Sequence, residues 1–156
     1  MLAPVVSSAR EWEGYTGECP ITPIQKWFYE HPTDRFNQSV IVRSDLRLDP
    51  EILQKALDTV TDRHDMLRCI YEDGKQTVRG RGRVCTVTKG TFRSVKEMEE
   101  HVNGLQGTLS MSEGRLMVCC ILSDDECDRI FMAIHHMVVD AVSWAIILND
   151  LAQSYL

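Results

Sequence analysis

Long hydrophobic runs are missing from this sequence. Nothing among its 156 residues stays apolar for long enough to cross a bilayer, so no membrane partner is expected. The opening stretch MLAPVVSSAR has neither the charged start nor the long apolar core of a secretory signal, and a cytoplasmic protein is expected. Positive charge is also scarce. Lys and Arg number 17 against 23 Asp and Glu, and a net charge of −6 argues against a nucleic-acid partner. The one basic cluster, Arg79, Arg81 and Arg83, alternates with glycine and reads as a solvated turn. The six cysteines (Cys19, Cys69, Cys85, Cys119, Cys120, Cys127) form no CxxC pair and no metal-ligand spacing, so buried, reduced thiols are expected. There is no internal repeat, no GxSxG elbow and no EF-hand glycine spacing in the acidic link SDDECDR, which reads as a solvated turn.

What is present suits one globular domain, at 44% hydrophobic and 26% charged. Residues 1–20 read as a loose lead-in punctuated by Gly14, Gly17 and Pro20. Thr22 and Pro23 then suit the cap and first position of a helix, with Ile24, Trp27 and Phe28 on one face. Trp27 and Phe28 are expected in the core, and Gln25 and Asn37 in structural hydrogen bonds. A strand follows over 36–43. Asp49 and Pro50 open a second helix ending near His64, with a buried stripe of Ile52, Leu53, Ala56, Leu57 and Val60. Strands are expected over 66–72, 76–79 and 84–88, with Asp73-Gly74 as a hairpin turn. Ser94 and Glu97 cap a helix that Gly104 should stop. Two apolar strands, 116–122 and 130–134, should pair antiparallel, and Cys119 and Cys120 should face opposite ways on the first. A last helix over 142–156 is apolar at Val142, Ile146, Ile147, Leu151 and Tyr155. The order predicts an α/β fold with helices packed on a mixed, largely antiparallel sheet. The final helix has no terminating cap, so the chain is expected to continue beyond it.

The chemistry concentrates in HHMVVDAVSW, residues 135–144, where a strand ends and a helix begins. His135 and His136 should point to opposite faces, one toward the core and one toward an open side, where an imidazole can act as base or donor. Asp140 can orient a ring, pair with an arginine, or simply cap the last helix. Two adjacent histidines facing opposite ways cannot easily share a metal ion. A relay of Ser143, His136 and Asp140 is packed into too few positions to line up.

HHMVVDAVSW resembles the HHxxxDG-type signature of the condensation-domain superfamily of nonribosomal peptide synthetases, and its Ser143-Trp144 pair resembles the epimerization branch. Three more stretches agree. ITPIQKWFYE with FNQSV is similar to the opening motif of epimerization domains, RHDMLRCIYED to the RHxxLR motif, and EGRLMVCCIL to the segment before the histidines. Two positions depart from the pattern: Ala141 stands where the family has glycine, and Arg115 where it has proline. If the family glycine uses positive φ, Ala141 should be strained.

The resemblance implies a chloramphenicol-acetyltransferase-like lobe over 21–156, the N-terminal half of a two-lobed domain whose tunnel holds the active site. The missing C-terminal lobe would supply a second acid/base glutamate. The implied reaction is inversion of the α-carbon of an aminoacyl or peptidyl thioester. The substrate would ride on the 4'-phosphopantetheine of a peptidyl carrier protein, with no cofactor of the chain's own. The alternatives are condensation to an amide, or a non-catalytic carrier-docking lobe. By the same resemblance His136 would be the acid/base group facing the tunnel and His135 a support turned away from it. Asp140 would be ion-paired with Arg68, and Ser143 and Trp144 would begin the helix on the tunnel floor. An isolated lobe is expected to be inactive and to self-associate through its uncovered apolar face.

Overall fold

The computed structural model describes residues 14–31 and 35–156. At its centre is a four-stranded sheet in the order β2-β7-β6-β5, built from β2 (Asn37–Ser44), β5 (Val87–Thr91), β6 (Met117–Ser123) and β7 (Asp128–His135). β6 and β7 are buried on both faces, which explains their near-continuous apolar sequences. Alternation sorts their side chains. Met117, Cys119, Ile121, Met132 and Ile134 face the helices α2 (Pro50–Arg63) and α4 (Ala141–Tyr155). Val118, Cys120, Leu122, Phe131 and Ala133 face α3 (Val95–Gln106). Cys119 and Cys120 thus fall in opposite layers, and all six cysteines are free. On α2, Leu53, Ala56, Leu57 and Val60 are at most 1% exposed. Burying such aliphatic side chains stabilises the fold by roughly 1.5–3 kcal/mol for each Leu or Val.

A second, three-stranded antiparallel sheet has the order β1-β4-β3, from β1 (Gly17–Cys19), β3 (Cys69–Glu72) and β4 (Lys75–Val78). Helix α1 (Pro23–Glu30) starts at a capping box between Thr22 and Gln25, and its Phe28 packs with Cys69, Tyr71, Val78, Leu116 and Met137 of this layer. The β3–β4 turn is Asp73-Gly74, both at positive φ (51° and 71°), as a two-residue hairpin of this twist requires. The α/β class and the antiparallel pairing of β6 with β7 match the sequence reading, while β5 joins β6 in parallel through α3.

Several boundaries differ from expectation for identifiable reasons. β1 lies inside the expected lead-in, where Gly17 to Cys19 pair with Gln76 to Val78; residues 1–13 fall outside the described segments. The strand expected from Met66 begins instead as a 3-10 turn, Asp65–Arg68, because the Arg68 side chain folds back onto the end of α2. β5 starts three residues later than expected. The Gln54 side chain takes the Cys85 carbonyl (3.0 Å) and the Val87 N–H (2.7 Å) in place of a ladder. α3 runs through Gly104 to a cap at Gly107, since Val102 and Leu105 pack on the sheet and outweigh the glycine's roughly 1 kcal/mol penalty. The acidic link is only partly solvated. Asp128 is fully buried, accepting from the Leu48 N–H (2.7 Å) and from Arg47 (2.9 Å). Trp27 is half-exposed and stacks on His31, and Ile52, Val142 and Ile146 face out of their expected stripes. Among the described residues no helix is long and apolar enough to cross a membrane.

Candidate active site

β7 delivers the two histidines to opposite sides of the sheet. His135 is the strand's last residue, opposite Asn37 of β2, and its backbone N–H donates to the Leu116 carbonyl at 2.8 Å. Its ring lies edge-on to Phe28 and Phe36, with centroids at 5.7 and 6.2 Å. Nδ1 accepts the Met137 N–H at 3.3 Å, which places the ring proton on Nε2. Burial first, and the charge of neighbouring His136 second, push the His135 pKa down to about 4. It is a neutral, structural ring bordering a cavity of about 380 Å3 shared with Phe28, Phe36 and Met111.

His136 stands one residue past the strand, held by its N–H to the Phe36 carbonyl at 2.7 Å. Its ring is only partly buried and turns toward α4. Nδ1 lies 2.7 Å from the Val139 carbonyl and Nε2 lies 3.3 Å from Gln38 Nε2. Gln38 Oε1 in turn accepts the Trp144 indole N–H at 3.0 Å. An indole only donates and a carbonyl only accepts, so the chain has one consistent proton assignment. Trp144 donates to Gln38 Oε1, the Gln38 amide donates to His136 Nε2, and His136 Nδ1–H donates to Val139. The Nε2 lone pair is therefore the basic site of the ring, and it accepts the Gln38 amide N–H.

Asp140 and Ser143 do something different. The Asp140 carboxylate accepts the Ser143 N–H (2.8 Å) and hydroxyl (2.7 Å) and so caps α4. The Ser143 N–H first, and its hydroxyl second, hold the Asp140 carboxyl below the usual carboxylate range. The expected Asp140–Arg68 ion pair does not form. Arg68, 1% exposed, pairs with Asp65 at 2.6 Å and donates to the carbonyls of Thr61 (2.6 Å), Asp62 (2.8 Å) and Arg79 (3.1 Å). These carbonyls lie at the end of α2 and just after β4, so four of the five guanidinium N–H groups are taken and the side chain serves to fasten the 3-10 turn. Arg63 likewise goes to Asp150, at 3.4 Å. Ala141 opens α4 unstrained, since Asp73 is the only non-glycine at positive φ among the described residues. The glycine departure therefore has no conformational consequence here.

Gln25 is buried and supports the site from behind. Its Nε2 lies 3.0 Å from Tyr71 Oη, Gln76 Oε1 and the Met137 carbonyl, tying α1 and the second sheet to the turn after His136. Trp144 is both core and site: it is 8% exposed in the main cluster and aims its N–H at Gln38. Gln38 and the Val139 carbonyl escaped the sequence reading. The available signal was alternation along FNQSVIV, which puts Gln38 on the same face as Val40, a polar residue on an inward face that needs a partner. Among the described residues no group of three or more His, Cys, Asp or Glu is placed to hold a metal.

With this geometry in view, comparisons with known proteins give a consistent picture. The family model for the condensation domain matches residues 15–156. Surfactin synthase subunit 1 of Bacillus subtilis (strain 168) is 32% identical over 89% of this chain and 4% of its own length. Gramicidin S synthase 1 of Brevibacillus brevis is 34% identical over 89% of this chain and 14% of its own. The epimerization domain from the third module of tyrocidine synthetase B superposes with a TM-score of 0.82 and 30% identity, over 92% of this chain and 36% of that one. The condensation domain of Monacolin K polyketide synthase shares the fold, at a TM-score of 0.72 and 19% identity. The chain thus spans about a third of those solved domains and a small fraction of the curated relatives. A chloramphenicol-acetyltransferase-like architecture, the family-model match over nearly all the described residues and the synthetase relatives establish that the chain belongs to the condensation-domain family of nonribosomal peptide synthetases.

Proposed function

We propose that this chain is the N-terminal part of an epimerization domain that inverts the α-carbon of an aminoacyl or peptidyl thioester. The substrate is carried on the phosphopantetheine arm of a peptidyl carrier protein. The observation that carries the chemistry is the partly exposed His136 ring, held in one tautomer with its Nε2 lone pair accepting from Gln38. A thioester acidifies its α-hydrogen. With the Gln38 amide displaced from it, His136 Nε2 takes that proton while the C–H electron pair moves onto the thioester oxygen as an enolate, and an acid on the opposite face returns a proton to carbon. That second acid lies outside this chain, in the remainder of a two-lobed domain. Support for epimerization over condensation comes from the 30% identity to a solved epimerization domain, against 19% to a condensation domain. Exposed Val142 and Ile146 on α4, four residues apart, supply apolar surface for the remaining lobe.

The test uses a carrier protein loaded with an L-aminoacyl group in deuterated water. Mass spectrometry follows α-hydrogen exchange, and chiral analysis the D product. Exchange is expected when the chain is combined with the remainder of its domain and is lost in His136→Ala. No exchange in the combined domain, or an amide product when an acceptor-loaded carrier is added, overturns the reading in favour of docking or condensation respectively.

A further inference from the structure

We propose that Gln38, oriented by Trp144, is a positioning residue that fixes the tautomer of His136, with the ring proton on Nδ1 and the lone pair on Nε2; the catalytic part of this rests on the epimerization reading. Gln38 lies on β2 opposite Ile134, one strand away from the histidine turn, and is partly buried. Its amide cannot turn over freely, because the Trp144 N–H at 3.0 Å requires the oxygen on that side. The amide nitrogen is thereby left facing His136 Nε2 at 3.3 Å. An N–H aimed at a ring nitrogen is attractive while that nitrogen carries a lone pair and repulsive once it carries a proton.

The other end of the ring is fixed independently. The Val139 carbonyl at 2.7 Å holds a proton on Nδ1, so a proton arriving at Nε2 makes the ring doubly protonated instead of switching its tautomer. Captured hydrogen therefore meets a donor instead of an acceptor, which favours its return. Asp140 and His135 are titratable neighbours of the ring. Asp140, at the start of α4, favours the charged form, and His135, on β7, is neutral above a pH of about 4 and contributes no opposing charge there. Phe36 from the β2 side contributes only an aromatic face, at a centroid distance of 4.8 Å.

The experiment is nitrogen NMR of the ring in the chain as it stands, with pH titration, on the parent and on Gln38→Glu and Trp144→Phe. In the parent, the neutral ring should carry its proton on Nδ1 alone. In Gln38→Glu the carboxylate accepts from both the indole and Nε2, so the doubly protonated ring should persist to a pH at least one unit higher. In Trp144→Phe the amide is released to present its oxygen, and the shift should have the same sign and be smaller. A parent ring protonated on Nε2, or titrations unchanged in both variants, overturns the proposal. If Gln38→Glu does not fold, Trp144→Phe decides alone. Activity separates the two claims. If α-hydrogen exchange depends on His136 but its pH profile ignores Gln38→Glu, the relay falls and the epimerase reading stands. If the ring behaves as described and no exchange occurs, the relay stands and the epimerase reading falls.

Discussion

His135 and His136 are neighbours in sequence and occupy unlike surroundings. The first packs edge-on against Phe28 and Phe36, accepts a backbone N–H, and has its pKa pushed down to about 4. The second is part-open and wired to two side chains and a carbonyl that fix where its proton sits. A strand that ends at His135 produces this division, because the next residue must leave by the other face. One imidazole is given to packing and the other is left for chemistry, so substitutions at the two positions should fail in different ways.

The largest difference should appear in activity. In the domain combined with its remainder, His136→Ala should lower α-hydrogen exchange by roughly 10²–10⁴-fold, the usual contribution of a positioned acid/base group. Its urea midpoint should stay near that of the parent. His135→Ala should do the reverse, lowering unfolding free energy by about 2–4 kcal/mol through the cavity left beside Phe28 and Phe36. Equal stability losses in both variants would erase the distinction.

Acid sharpens the same contrast. His135 has a folded-state pKa depressed from 6.5 to about 4, so folding binds fewer protons than unfolding below neutrality. Stability should be complete above about 6.5 and should fall as pH drops toward about 4, by up to roughly 3 kcal/mol. Below that range the carboxylates Asp124 and Asp140, both held below their usual values, add their own loss. Denaturant melts of His135→Gln across this range should be flatter than those of the parent.

Two smaller effects test the supports. Asp140→Ala should cost about 1 kcal/mol as a lost helix cap, while Asp140→Asn should cost almost nothing, since asparagine caps as well. A large loss in the asparagine variant would instead indicate an ionic role for the carboxylate. Ala141→Gly should lower stability by up to about 1 kcal/mol, because the backbone there is ordinary helix, where glycine brings only its entropic penalty.

Much of this was readable from the chain itself. The helix starts at Pro23, Pro50 and Val95 follow from their capping residues, and the β6–β7 hairpin from two apolar runs about a short polar link. The opposed histidines follow from strand alternation alone. What could not be read depends on partners remote in sequence. Arg68 looked available for Asp140 until the carbonyls at the end of α2 and Arg79 were seen to claim it. Gln54 replaces a stretch of ladder that local propensity assigned to a strand. Gln38 acquires meaning only through Trp144, 106 residues away.

The Gln38–His136 contact joins positions 98 apart, across the β2–β7 ladder. A ribosome must release nearly all of this segment before the two strands can meet, and closing so long a loop is an entropic hurdle met early or not at all. A nascent or half-folded chain therefore has an untethered imidazole, and the contact with Gln38 comes into being only when β2 and β7 pair.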